Sequence, residues 1–208
     1  MALLHRAHLH PTKLELVARW VPQQAWASGD EPVEVVATFR FDDPDGQVGI
    51  ETLLTRTKNG DLVQVPLTYR DAALPGAEDS LIGTMEHSVL GTRWVYDAPG
   101  DPVYVAVLHS VMLTAGSGAE LFDEAGQRIV RSTQAEVHGT GELRSEPVAP
   151  DRYNPDQRPA ETISTTAADG ALVTYRRPLV ASASDGVRAA LRGQWEGQQE
   201  AVTLAVLR

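Results

Sequence analysis

Residues 33–69 read VEVVATFRFDDPDGQVGIETLLTRTKNGDLVQVPLTY, and the fold is decided in this stretch. Val33, Val35, Ala37, Phe39 and Phe41 are apolar at every second place, with Glu34, Thr38 and Arg40 between them. Side chains alternate across a strand, so this period describes a half-buried strand. Asp45-Gly46 predicts a tight hairpin turn, followed by a second strand over about 48–57. Asn59-Gly60 is the strongest hairpin signal in the chain, and Val63, Val65, Leu67 and Tyr69 alternate again. Pro66 marks an edge or a bulge, because proline brings no N–H to a ladder. The expected outcome is a meander of three antiparallel strands.

On the N-terminal side, Thr12 and Glu15 form a capping box, and Leu14, Val17 and Val21 recur at helical spacing. Leu16 and Trp20 add a second apolar row, and Pro22 ends the helix. Beyond the meander, two shorter strands are expected at 81–87 and 92–96. Asp101-Pro102 then supplies an N-cap and a proline at the first helical position. Val105, Leu108 and Met112 share one face of that helix, which Gly116 and Gly118 end. In the second half, strands are expected near 128–138, 161–166, 171–177, 188–195 and 201–207. The last two form a hairpin around Gly197, with Val202, Leu204 and Val206 on one face. The segment 144–160 holds four prolines and reads as a surface loop. The expected class is α+β, mostly antiparallel β. Residues 1–118 form one unit, and a β-rich half over 119–208 packs on it.

Composition narrows the function. A net charge of −10 repels phosphate backbones and anionic lipid, so nucleic acid and membranes are not expected partners. Without cysteine there is no disulfide, thiol nucleophile or thiolate metal site. Met1 to His10 lacks an apolar h-region, and no stretch reaches ~18 apolar residues, so a cytoplasmic protein is expected.

A family resemblance rests on an ordered set of motifs. These are Trp20-Val21-Pro22-Gln23-Gln24-Ala25-Trp26, Val65-Pro66-Leu67, Leu81-Ile82-Gly83, Trp94-Val95-Tyr96-Asp97-Ala98 and Asp101-Pro102 before a helix. In this order they resemble the N-terminal cap of actinobacterial maltokinases. Arg40-Phe41-Asp42-Asp43-Pro44 and Glu86-His87-Ser88-Val89-Leu90-Gly91 resemble stand-alone actinobacterial cap-like proteins, sometimes labelled α-glucan branching protein. The resemblance covers roughly residues 1–115. It implies a curved antiparallel sheet with a packed helix, similar to cystatin topology, and no activity for the cap alone. Ala25 departs from the pattern, since kinase caps usually carry arginine before the tryptophan.

The chemistry of a kinase is missing. No histidine begins a His-x-Asp loop, and neither Asp-Phe-Gly nor a phosphate-binding Gly-rich loop occurs. A branching enzyme would need a barrel-scale domain with several strand-end carboxylates. The expectation is therefore a non-catalytic accessory or interaction protein, linked through the resemblance to α-glucan or trehalose metabolism, with a protein partner or a second copy. No cofactor is expected. The alternative is a small-molecule or glycan-binding module that uses the concave sheet face or Trp195, which stands beside Glu196 and Gln198. Sugars stack on exposed aromatic rings and bond to neighbouring carboxylates and amides.

Three other groups are weaker. His5, His8 and His10 come nearest to a metal site, but no fourth ligand lies close. Asp42-Asp43-Pro44-Asp45-Gly46 lacks the spacing of a calcium loop and reads as a turn. Glu86 and His87 point to opposite faces of a strand, so Glu86-His87-Ser88 makes a poor acid–base–nucleophile set.

Overall fold

Thr12 closes a complete capping box around the first helix, accepting from the Glu15 N–H while the Glu15 carboxylate accepts from the Thr12 N–H. The helix, α1, runs Lys13–Trp20, and Val21–Gln23 continues it as one 3-10 turn around Pro22. The computed structural model describes residues 2–3, 7–27, 29, 31–142, 162–167, 170–180 and 186–208. The proline-rich segment 144–160 and His5 lie outside the described residues.

Two short strands precede α1, β1 (Ala2–Leu3) and β2 (Leu9–His10). After it come β3 (Pro32–Phe41), β4 (Gly49–Thr57), β5 (Leu62–Arg70), β6 (Leu81–His87) and β7 (Gly91–Asp97). The second helix, α2, spans Pro102–Leu113. The remaining strands are β8 (Leu121–Phe122), β9 (Arg128–Ile129), β10 (Glu136–Gly139), β11 (Thr162–Ala167), β12 (Gly170–Leu179), β13 (Ala189–Trp195) and β14 (Gln198–Leu207). Six strands form one antiparallel sheet in the order β2-β6-β7-β5-β4-β3, and five form another, β10-β13-β14-β12-β11. The protein is α+β and mostly antiparallel, as expected. No helix among the described residues is long and apolar enough to cross a membrane.

The meander follows its sequence signals with instructive departures. The connection at Asp45-Gly46 is not the tight hairpin expected but a wider loop between Phe41 and Gly49. Because it is centred on Asp45-Gly46, it still places Arg40 opposite Glu51. The turn is tied by Asp43, whose carboxylate accepts from the N–H groups of Asp45, Gln47 and Val48. The second turn is one residue longer than an Asn-Gly hairpin. Thr57 donates its N–H to the Asp61 carbonyl across Lys58–Gly60, and Gly60 takes φ +87° at the left-handed position of a three-residue loop. Pro66 lies on an interior strand, yet β7 pairs with β5 only from Leu67 onward, so its missing N–H faces no ladder there. The stretch 128–138 is two strands rather than one, because 131–135 leaves the β9 pairing and runs along the outer edge of β3. Thr38 donates its N–H to Thr133, and Ala135 donates to Thr38.

Each face of the six-stranded sheet carries packed elements. On one, α1 lays Leu16 and Val17 against Leu53, Val63, Val65, Leu67 and Val95. On the other, Ala37, Phe39, Phe41 and Leu54 share a core with Val105, Leu108 and Met112 of α2 and with Leu172, Leu191, Leu204 and Leu207. α2 is therefore buried on more than the single face expected: Tyr104, Val107, His109 and Leu113 are buried too. Gly139 permits this packing, since a Cβ there would lie 2.0 Å from the Val111 carbonyl oxygen of α2. Val202, Leu204 and Val206 do not keep one face. A bulge between Leu191 and Arg192 shifts the β13–β14 register, putting Leu204 in the large core and Val206 in a small cluster with Val173 and Tyr175.

Candidate functional site

The residues singled out by composition are scattered and engaged. Trp195 is 9% exposed and packs in the large core, so protein covers the ring on which a sugar would stack. Its Cα pairs with Gln198 across the turn made by Glu196 and Gly197, and the Gln198 amide donates to the Glu200 carbonyl. His10, on the strand that pairs with β6, and His8, just before that strand, are both exposed. Among the described residues no group of three potential ligands could hold a metal. Glu86 accepts from the Thr92 hydroxyl, His87 Nδ1 accepts from the Val89 and Leu90 N–H groups, and the Ser88 hydroxyl accepts from His8 N–H. Three neighbours thus serve three separate contacts, a cross-strand pair, a turn and a link to the chain before β2.

Two buried ionic groups went unforeseen. The first is built on the α1 face of the meander. Arg40 and Glu51 are a direct cross-strand pair, with Arg40 Nε donating to Glu51 Oε1 at 3.3 Å. From β5, the Tyr69 hydroxyl donates to Glu51 Oε2 at 3.1 Å. From the first turn of α1, Lys13 Nζ bonds the same oxygen and lies 5.5 Å from the Tyr69 ring centre. Burial by itself raises the Glu51 pKa, but Lys13 and Arg40 outweigh it and hold the carboxyl at about 2. Burial also pushes the Tyr69 hydroxyl well above its ordinary range, with Glu51 adding to the rise. Lys13 is drawn below the usual lysine value, first by burial and further by Arg40 and Arg131, against the pull of Glu51. A recess opens beside the group, lined by Thr38, Arg40, Glu51, Arg131 and Gln134, with room for about one water. The signal for part of this was present: a turn centred on Asp45-Gly46 sets residue 40 opposite residue 51.

The second group joins the two sheets. Arg176 of β12 is wholly buried and bonds the Asp97 carboxylate at the end of β7. Its guanidinium carbon lies 4.7 Å from the Trp26 ring centre and 5.7 Å from that of Trp20. Burial raises the Asp97 pKa above the ordinary carboxylate value despite this partner. Nearby, Gln64 is 2% exposed and donates its amide to the carbonyls of Tyr175 and Leu204, fastening β5 to β12 and β14. No sequence pattern marks Arg176, which stands between alternating apolar residues and a proline.

The segment that holds the two tryptophans, the meander and Asp97 is also the one matched among known families. Residues 20–101 match the model of the maltokinase N-terminal cap domain. This part of the chain is similar to a maltokinase N-terminal cap domain. No kinase-domain family is found, and no curated protein matches the chain. With the matched segment delimited, the origin of each ionic group is clear. The matched segment supplies Arg40, Glu51 and Tyr69 to the first and Trp20, Trp26 and Asp97 to the second. Lys13, Arg131 and Arg176 come from outside it.

Proposed function

We propose that the protein is a non-catalytic accessory protein in which a maltokinase-type cap packs on a β-rich second half of its own chain, residues 119–208. It serves α-glucan or trehalose metabolism by binding a protein of that metabolism. The observation that carries the reading is Arg176, a wholly buried arginine from beyond the cap, seated over Trp26 and bonded to Asp97. The cap is thereby joined to its own chain through a desolvated charge pair, which is costly to break. The other ionic group supports the non-catalytic part. Glu51 is neutralised by its own neighbours, beside a recess that admits about a water rather than a sugar.

The test is capture from native extract of the source organism on the immobilised protein, read by mass spectrometry. Enrichment of α-glucan or trehalose enzymes over an unrelated acidic protein is expected. The reading is overturned if none is enriched, or if the purified protein transfers phosphate from ATP to maltose or trehalose. Retardation in a native gel by glycogen, in the absence of a captured protein, would favour the glycan-binding alternative instead.

A further inference from the structure

The recess beside Glu51 carries more positive charge than its carboxylate can balance. Lys13, Arg40 and Arg131 meet one anion, Glu51, in a chain whose overall charge is −10. Glu51 already accepts from Lys13, Tyr69 and the Nε of Arg40. That bond is the only one the Arg40 side chain makes among the described residues, so its terminal nitrogens are uncommitted there, and Arg40 lines the recess. Arg131 lines the same recess, and its guanidinium makes no hydrogen bond or ion pair among the described residues. Glu120, beside the lining residue Leu121, is already paired with Arg128 at 3.1 Å. Two guanidinium groups beside one recess, with a single carboxylate shared among three cations, leave positive charge in excess, and their forked N–H geometry matches an oxyanion.

We propose that this recess is a binding site for a phosphate group, with Arg40 and Arg131 as the forked donors and Lys13 supplying further positive charge. The water-sized floor admits one phosphate oxygen, and the rest of the group lies toward solvent, between the two arginines. The site exists only in the assembled protein. Arg40 comes from the cap-like segment, whereas Arg131 is brought alongside by the segment that hydrogen-bonds the edge of β3. This placement is independent of whether the protein binds a metabolic partner.

The test is thermal melting of the full chain in phosphate against chloride at matched ionic strength, with Arg131→Gln and Arg19→Gln alongside. Both side chains are exposed, so both variants are expected to fold. Saturating phosphate is expected to raise the melting temperature of the unmodified protein by about 5 °C over chloride. Arg19→Gln keeps this rise and Arg131→Gln loses most of it. A phosphorus-31 linewidth titration of glycerol 1-phosphate against inorganic phosphate tells a phosphorylated metabolite from the free ion, and binding of either supports the site. The proposal is overturned if phosphate acts no differently from chloride, or if Arg131→Gln retains the full rise.

Discussion

Replacing Arg176 by alanine is the sharpest probe of how the two sheets are held. In the native protein its guanidinium is removed from water, bonds Asp97 and lies over Trp26 and Trp20. Truncation leaves the Asp97 carboxylate, 12% exposed, without its partner. Breaking one side of a buried pair costs about 3–5 kcal/mol, and the lost ring contacts add about 1 kcal/mol. Two guanidinium nitrogens, Nε and Nη1, have no hydrogen-bond partner among the described residues, which places the sum toward the lower end, about 4 kcal/mol. The assay is urea unfolding followed by tryptophan fluorescence, which Trp20 and Trp26 report directly. The double variant Asp97→Asn with Arg176→Met removes both charges and should recover all but about 1–2 kcal/mol, since an apolar replacement leaves no orphan charge. The pH dependence has a definite sign. Burial raises the folded pKa of Asp97, and removing Arg176 raises it further. The native state then holds the proton more tightly than the unfolded chain, so stability tied to this group is present at low pH and lost as pH rises. The Arg176→Ala deficit should therefore shrink on acidification from pH ~7 to ~4. A deficit below about 1 kcal/mol at neutral pH, or strict additivity of the single variants, would refute the reasoning.

Three other outcomes follow from the same coordinates. Glu51 has a folded pKa of about 2 against an ordinary 4.5, so its contribution is present above about pH 5 and lost as pH falls toward 2. That loss is about 3 kcal/mol, and Glu51→Gln should flatten this part of the stability–pH curve; an unchanged acid slope would show that the carboxylate is not held as described. Gly139→Ala drives a methyl group into the Val111 carbonyl and should cost upwards of about 2 kcal/mol, measured as a fall in denaturation midpoint. Trp195→Ala empties a core position and should cost about 3–5 kcal/mol while leaving any affinity for maltodextrin, measured by calorimetry, unaltered.

The local rules were legible wherever short-range chemistry decides. Thr12 and Glu15 announced the start of α1, and Asp101-Pro102 announced α2, because a cap is a contact between residues two or three apart. The same holds for the meander: alternation and Asp45-Gly46 imply the Arg40–Glu51 register, hence half of the first ionic group. Trp195 shows the limit of such reading. A tryptophan among glutamines and glutamate looks like a sugar platform in sequence, yet its exposure depends on what lies across the hairpin, and there it meets the core.

Sequence by itself determined the helices, the strands of the cap-like segment and most of their turns, since each is set by neighbours along the chain. Tertiary structure alone decided what that segment is joined to. Arg176 lies 79 residues from Asp97, and only the packing of β12 beside β5 brings the two together. Arg131 is likewise remote in sequence from Arg40, and meets it because 131–135 hydrogen-bonds the free edge of β3. Periodicity reports which face of an element is buried, but not which distant charge will be buried against it. That is settled by whether a partner of opposite sign can repay desolvation, a property of the assembled fold.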